Sequence, residues 1–100
     1  MIHIYTIHSS NEAAEVVTTS LLEAKLVACA NHFPIQSYYT WKTKLQCEDE
    51  VVVIYKSTKE KRPIVKKHIE EIHPYETPCI IKIKAEAATA FKTWIEDETS

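Results

Sequence analysis

The chain of 100 residues contains no glycine at all. That absence removes the glycine-rich loops that cradle phosphates in nucleotide-binding sites. It also leaves every turn without the residue that most easily takes positive φ. The expected turns are therefore type I or assisted by Asn and Asp, and helix ends must do without the usual glycine cap. Cysteine is scarce as well: Cys29, Cys47 and Cys79 are odd in number, widely spaced and set in apolar, strand-like segments. Neither a CxxC pair nor an HExxH motif is present, which argues against structural zinc and zincin sites. Free thiols of this kind suit a reducing compartment better than a disulfide framework. No apolar run approaches the ~20 residues that a membrane-spanning helix requires. The opening MIHIYTIH has neither the basic region nor the long apolar core of a secretion signal. The expectation is a cytoplasmic protein with no membrane partner. Excess positive charge is missing too: 12 Lys and Arg stand against 14 Asp and Glu, a net charge of −2. No nucleic-acid partner is expected from that balance. Lys59, Lys61 and Arg62 form a small basic cluster that reads as a solvated helix start.

What remains is an ordinary globular composition, 45% hydrophobic and 26% charged, at the size of one domain spanning residues 1–100. Its centre is the stretch Leu26–Ser57, two strand-like runs meeting at the polar tip Lys42-Thr43-Lys44. β-Branched and aromatic residues at this density favour a pleated, half-buried surface. Pro34 cannot donate to a ladder, so it marks a bulge, a break or an edge. The reading is a short strand around Val27–Ala30, an irregular step near Phe33–Ile35 and a longer strand from Ser37, partnered by Leu45–Lys56. Gln46–Glu50 reads as too polar for core.

On either side lie helices. Ser9 and Glu12 have capping-box spacing, and Ala13 or Ala14, Val17, Leu21 and Ala24 recur at helical period to about Lys25. Ser57 and Glu60 repeat the capping spacing before Pro63 and a stripe of Val65, His68 or Ile69, and Ile72. That helix stops at His73-Pro74, because a residue before proline disfavours αR. Ile2–Ile7 and Cys79–Lys84 read as outer strands, and Ala87–Glu98 as a short last helix with Phe91, Trp94 and Ile95 on its apolar side. The order βαββαβ plus a terminal helix predicts an α+β, ferredoxin-like sandwich with both crossover helices on one face and an extended hairpin arm. The arm exposes Tyr38, Tyr39 and Trp41. Aromatic surface of that extent predicts self-association.

Candidate chemistry is sparse, and no enzymatic motif is present. His73 and Glu76 form the best local pair, in a segment stiffened by Pro74 and Pro78. Either they contact a metal or small ligand, or they satisfy neighbouring backbone groups in a turn or a subunit contact. Cys29, between two alanines in a strand, reads as buried and inert.

Three ordered motifs carry a resemblance. Leu26-Val27-Ala28-Cys29-Ala30-Asn31, Ser37–Lys44 with its Tyr38-Tyr39-Thr40-Trp41 core, and His73-Pro74-Tyr75-Glu76-Thr77-Pro78 together resemble the CutA family of divalent-cation tolerance proteins. Lys56-Ser57-Thr58 and Phe91–Ile95 support it. The resemblance implies no enzymatic reaction. It implies a homotrimer, similar to the PII signalling proteins, whose hairpin arms pair between subunits with Tyr38, Tyr39, Trp41 and Trp94 at the interface. It also implies an association with copper. Some members place a cysteine in the first strand and two histidines before the Pro-Tyr motif, where this chain has Thr6, Ile72 and His73. A copper site would then rest on His73, with His8, Cys29 and Glu76 in place of the missing ligands if folding brings them close. The alternative that the resemblance implies is a ligand-sensing module with a cleft between subunits near Lys56, Tyr75 and Glu76. Thr43 and Ile35 stand where the family usually has glycine, which predicts remodelled turns at both places.

Overall fold

Alternation sets the first strand. In β1 (Ile2–His8) every second side chain, Ile2, Ile4, Thr6 and His8, is buried. The computed structural model describes residues 1–100. After β1 come α1 (Asn11–Glu23), β2 (Cys29–Trp41), β3 (Lys44–Ser57), α2 (Arg62–Ile72), β4 (Ile80–Lys84) and α3 (Thr89–Glu98). The four strands form one antiparallel sheet in the order β2-β3-β1-β4. This is the βαββαβ sandwich with a C-terminal helix that the pattern predicts.

The core lies between the sheet and two helices. Ala14, Val17 and Leu21 of α1 and Val65 and Ile69 of α2 join Ile2, Ile4, Val53 and Tyr55 in one buried cluster, so both helices cover the same face. Ser20 and His68 bridge the helices, Oγ to Nε2, at 2.7 Å. The cap positions differ by one residue from the capping-box reading. Ser10, not Ser9, caps α1 by accepting from the Ala13 N–H at 3.1 Å. Ahead of α2, Thr58 accepts from the Lys61 N–H, while the Ser57 hydroxyl is buried and donates to the Leu26 carbonyl at 2.6 Å.

Pro34 does not break its strand. β2 and β3 pair without a bulge from Cys29↔Lys56 to Trp41↔Lys44, with Pro34 opposite Val51. Because β2 is an edge strand, the missing N–H can face away from the ladder. β1 stops opposite Val51, so Lys44–Glu50 pair with β2 alone. At about 3.3 Å per residue, those seven residues project roughly 23 Å beyond the sandwich, and the chain measures 45 × 24 × 21 Å.

The lack of glycine is met differently from expectation. Neither Asn nor Asp assists; instead Lys25, Lys42 and Thr43 take φ of 56°, 50° and 67°. Lys42 and Thr43 form the two-residue arm tip, where positive φ at both positions matches the twist of a hairpin. Lys25 ends α1 in a Schellman motif: the Leu26 N–H bonds to the Leu21 carbonyl and the Lys25 N–H to Leu22, each at 3.0 Å. A left-handed non-glycine residue costs about 1–2 kcal/mol. Lys25→Gly and Thr43→Gly are each expected to stabilise the protein by about 1 kcal/mol in denaturant titrations, Thr43 by more because it is β-branched.

Candidate functional site

The segment after α2 builds the site. His73 terminates the helix in extended conformation, its N–H bonded to the Ile69 carbonyl at 2.8 Å. Its ring Nε2–H donates to the Ile7 carbonyl at 2.8 Å, and Nδ1 accepts from the Tyr75 N–H at 3.2 Å. Both nitrogens are thus used by backbone, and Pro74 limits how far the turn can relax. The imidazole lies between two rings, stacked on His8 and edge-on to Tyr75, each at 4.7 Å between centroids. His73 therefore fixes where Tyr75 stands. The Tyr75 hydroxyl then donates to Glu50 Oε2 at 2.5 Å.

His8 sits beneath this turn and is only 1% exposed. Thr6 Oγ1 donates to the Val53 carbonyl, so it accepts from His8 Nε2–H at 2.8 Å, and His8 Nδ1 is left buried without a partner. Burial, with smaller contributions from His73 and His32, lowers the His8 pKa to about 4.

Beside Tyr75 opens a cleft of about 490 Å³, between the arm base and the segment after α2. Register explains its wall. Tyr39 and Trp41 of β2 share one face of the arm with Gln46, Glu48 and Glu50 of β3, while Tyr38 and Cys47 pair on the opposite face. Tyr75, Glu76, Thr77 and Cys79 close the other side. Glu50 is the surprise of this wall: the polar run Gln46–Glu50 reads as exposed, yet Glu50 is 7% exposed. Its position two residues before Val52, on the same face of β3, is the sequence signal that marks it. Burial and the carboxylates of Glu50 and Glu48 push the Tyr75 phenol upward, and burial with Glu50 raises the Cys79 thiol.

The other predicted residues lie elsewhere. Lys56 is separated from Tyr75 and Glu76: its ammonium donates to Asn31 Oδ1 at 2.6 Å, lies 3.9 Å from Cys29 Sγ and sits over the Phe91 ring. Cys29, opposite Lys56, is half-buried at the far end of the sheet from Val51 and His8. His73, Glu76 and Cys29 thus do not converge, and nowhere do three metal-ligating side chains form a group. Trp94 stacks on Phe91 at 5.7 Å, and Tyr38 and Trp41 are 67% and 45% exposed. No helix is long and apolar enough to cross a membrane.

Known proteins share both sequence and fold. The divalent-cation tolerance protein CutA of Thermotoga maritima is 36% identical over 98 residues, covering 97% of each chain. The Archaeoglobus fulgidus protein, described as a periplasmic divalent cation tolerance protein CutA, superposes with a TM-score of 0.96 at 36% identity, over 100% of both chains. A PII-like protein CutA from Nostoc sp. PCC 7120 gives a TM-score of 0.94 at 29% identity, covering 100% of this chain and 98% of that one. The model of the CutA1 divalent ion tolerance protein family matches residues 2–98. With that match and those relatives, the chain belongs to the CutA1 divalent ion tolerance family.

Proposed function

We propose that the protein works as a cytoplasmic homotrimer, closed through its hairpin arms, in the response to divalent metal ions, copper among them. Its working site in this reading is the cleft at the arm base. The carrying observation is the arm itself: Lys44–Glu50 and their β2 partners have no helix or third strand against them, and they hold Tyr38, Tyr39, Trp41 and Leu45 in the open. A sheet with two unpaired edges and such a projection is suited to pairing with copies of itself. The fold shared with a protein described as PII-like supports the same reading, since the resemblance to PII signalling proteins implies a trimer. Three free thiols fit a reducing compartment.

Copper belongs to this reading at low affinity. A nitrogen of His73 becomes available only when its bond to Ile7 or to Tyr75 opens, which sets a cost of about 1 kcal/mol or more on ligation. Titration of Cu(II) into wild type and His73→Ala is expected to show weak binding that the substitution lowers about tenfold. Identical isotherms would remove His73 from the metal reading. The second reading, a PII-like sensor of a small ligand, is favoured by one specific observation: the cleft's volume falls in the range of small-molecule sites.

A further inference from the structure

A second reactive group of side chains lies at the end of the hairpin opposite the arm tip. Cys29 and Lys56 pair across β2 and β3, and the Lys56 ammonium is 3.9 Å from the Cys29 sulfur. Two further contacts hold the ammonium there: it donates to Asn31 Oδ1 at 2.6 Å and lies 5.7 Å from the centre of the Phe91 ring. No carboxylate neutralises it, since the only ion pair in the chain is Lys66–Glu70 on α2. Burial and the Lys56 charge together lower the pKa of His3, the residue opposite Lys56 on β1. Cys29 is half-buried and free, open to a molecule as small as a peroxide.

The fold denies Cys29 a partner thiol. Cys47 pairs with Tyr38, nine rungs further along the same ladder and roughly 30 Å away. Cys79 stands just before β4, at the opposite edge of the sheet from β2. A disulfide needs Cα atoms within about 7 Å, so no thiol of this chain can resolve an oxidised Cys29, and the Lys56 amine stands where a resolving thiol would. We infer that Cys29 and Lys56 form a peroxide-driven covalent switch that closes to a sulfenamide bond between β2 and β3. In the first step the Cys29 sulfur attacks one oxygen of hydrogen peroxide and gives its thiol proton to water. The S–O bond forms and the O–O bond breaks, so the sulfur is oxidised by two electrons and the peroxide is reduced. The departing hydroxide takes a proton from the Lys56 ammonium, which leaves water and a free amine beside the sulfenic acid. That amine then attacks the sulfur. The N–S bond forms, the S–O bond breaks, and hydroxide leaves with an amine proton as a second water. Two equivalents of an external thiol reverse the switch, restoring the Cys29 thiol and the Lys56 amine and leaving as a disulfide. Closure draws Lys56 away from Asn31 and Phe91 and removes its charge.

The test treats the full-length protein with a small molar excess of hydrogen peroxide and follows it by intact mass and tryptic mapping. The expected main product is a chain lighter by two hydrogen atoms, in which the Cys29 fragment is joined to a fragment left uncut at Lys56. Dithiothreitol is expected to separate the two. Cys47 falls on the same fragment as Lys56, so the measurement is repeated in Cys47→Ser, where the link is expected to persist. Lys56→Arg keeps the charge without a nucleophilic amine, and it is expected to abolish the link and leave a sulfenic acid that dimedone traps. Lys56→Gln removes the charge as well and is expected to slow the oxidation of Cys29 about tenfold. Wild-type protein in which Cys29 runs on to the sulfinic acid, or pairs with Cys47, without a bond to Lys56 overturns the proposal. So does a folded Lys56→Gln chain whose Cys29 reacts as fast as that of the wild type.

Discussion

Deleting Tyr38–Asp49 is expected to turn a trimer into a folded monomer. The sequence joins Ser37 to Glu50 in this variant, and the register makes that junction feasible: Ile35 is already paired with Glu50, so Gln36 and Ser37 become a two-residue hairpin loop. None of the residues in the buried core cluster lies in the deleted segment. The loss is therefore confined to Tyr38, Tyr39, Trp41 and Leu45, which contribute exposed apolar surface to one subunit and nothing to its interior. Large aromatic side chains dominate association energies once they are desolvated in an interface. Their joint removal is expected to weaken assembly on the order of a thousandfold, ~4 kcal/mol, with the circular dichroism of helix and sheet retained. Light scattering after gel filtration reads the outcome. A deletion variant that stays trimeric would show that the arm is ornamental to assembly.

The second large effect comes from His8. An unfolded chain binds the proton of this histidine near pH 6.5, and the folded chain only near pH 4, because protonation would place a charge in a buried site next to the His73 ring. Between those values the unfolded state holds more protons, so stability falls as pH falls from about 6.5 to about 4 and changes little on this account outside that window. The full shift corresponds to ~3 kcal/mol, and relaxation of the protein and of nearby solvent brings the expected loss to about 2 kcal/mol. His8→Gln, which keeps a donor for Thr6, is expected to flatten the profile across that range. Denaturant titrations of both proteins at pH 7 and pH 4.5 give the comparison, and parallel losses in the two would exonerate His8.

These predictions draw on features that were legible in the chain to different degrees. Period-two burial in Ile2–His8 and helical spacing in Ala14, Val17 and Leu21 are local signals, and the sandwich follows them closely. Pro34 was ambiguous because a proline reports only a missing donor; the strand order decides whether that donor was needed. Thr43 and Lys25 adopt positive φ because hairpin twist and the Schellman bonds of α1 outweigh a local preference of 1–2 kcal/mol. The site was harder to read. Tyr75 and Glu76 stand out in their motif, and strand period places Glu50 on the face of Val52, but its contact with Tyr75, 25 positions later, is one that no spacing rule supplies. Lys56, which the family resemblance groups with them around a cleft between subunits, meets Asn31 and Phe91 within its own chain.

The central claim is that the arm exists for other subunits and that the cleft at its base works within that assembly. The solution mass of the intact protein at micromolar concentration and neutral pH tests it most directly. The expected result is about three times the 11.5 kDa of one chain, unchanged on dilution through the micromolar range. A mass of a single chain under those conditions would contradict the account.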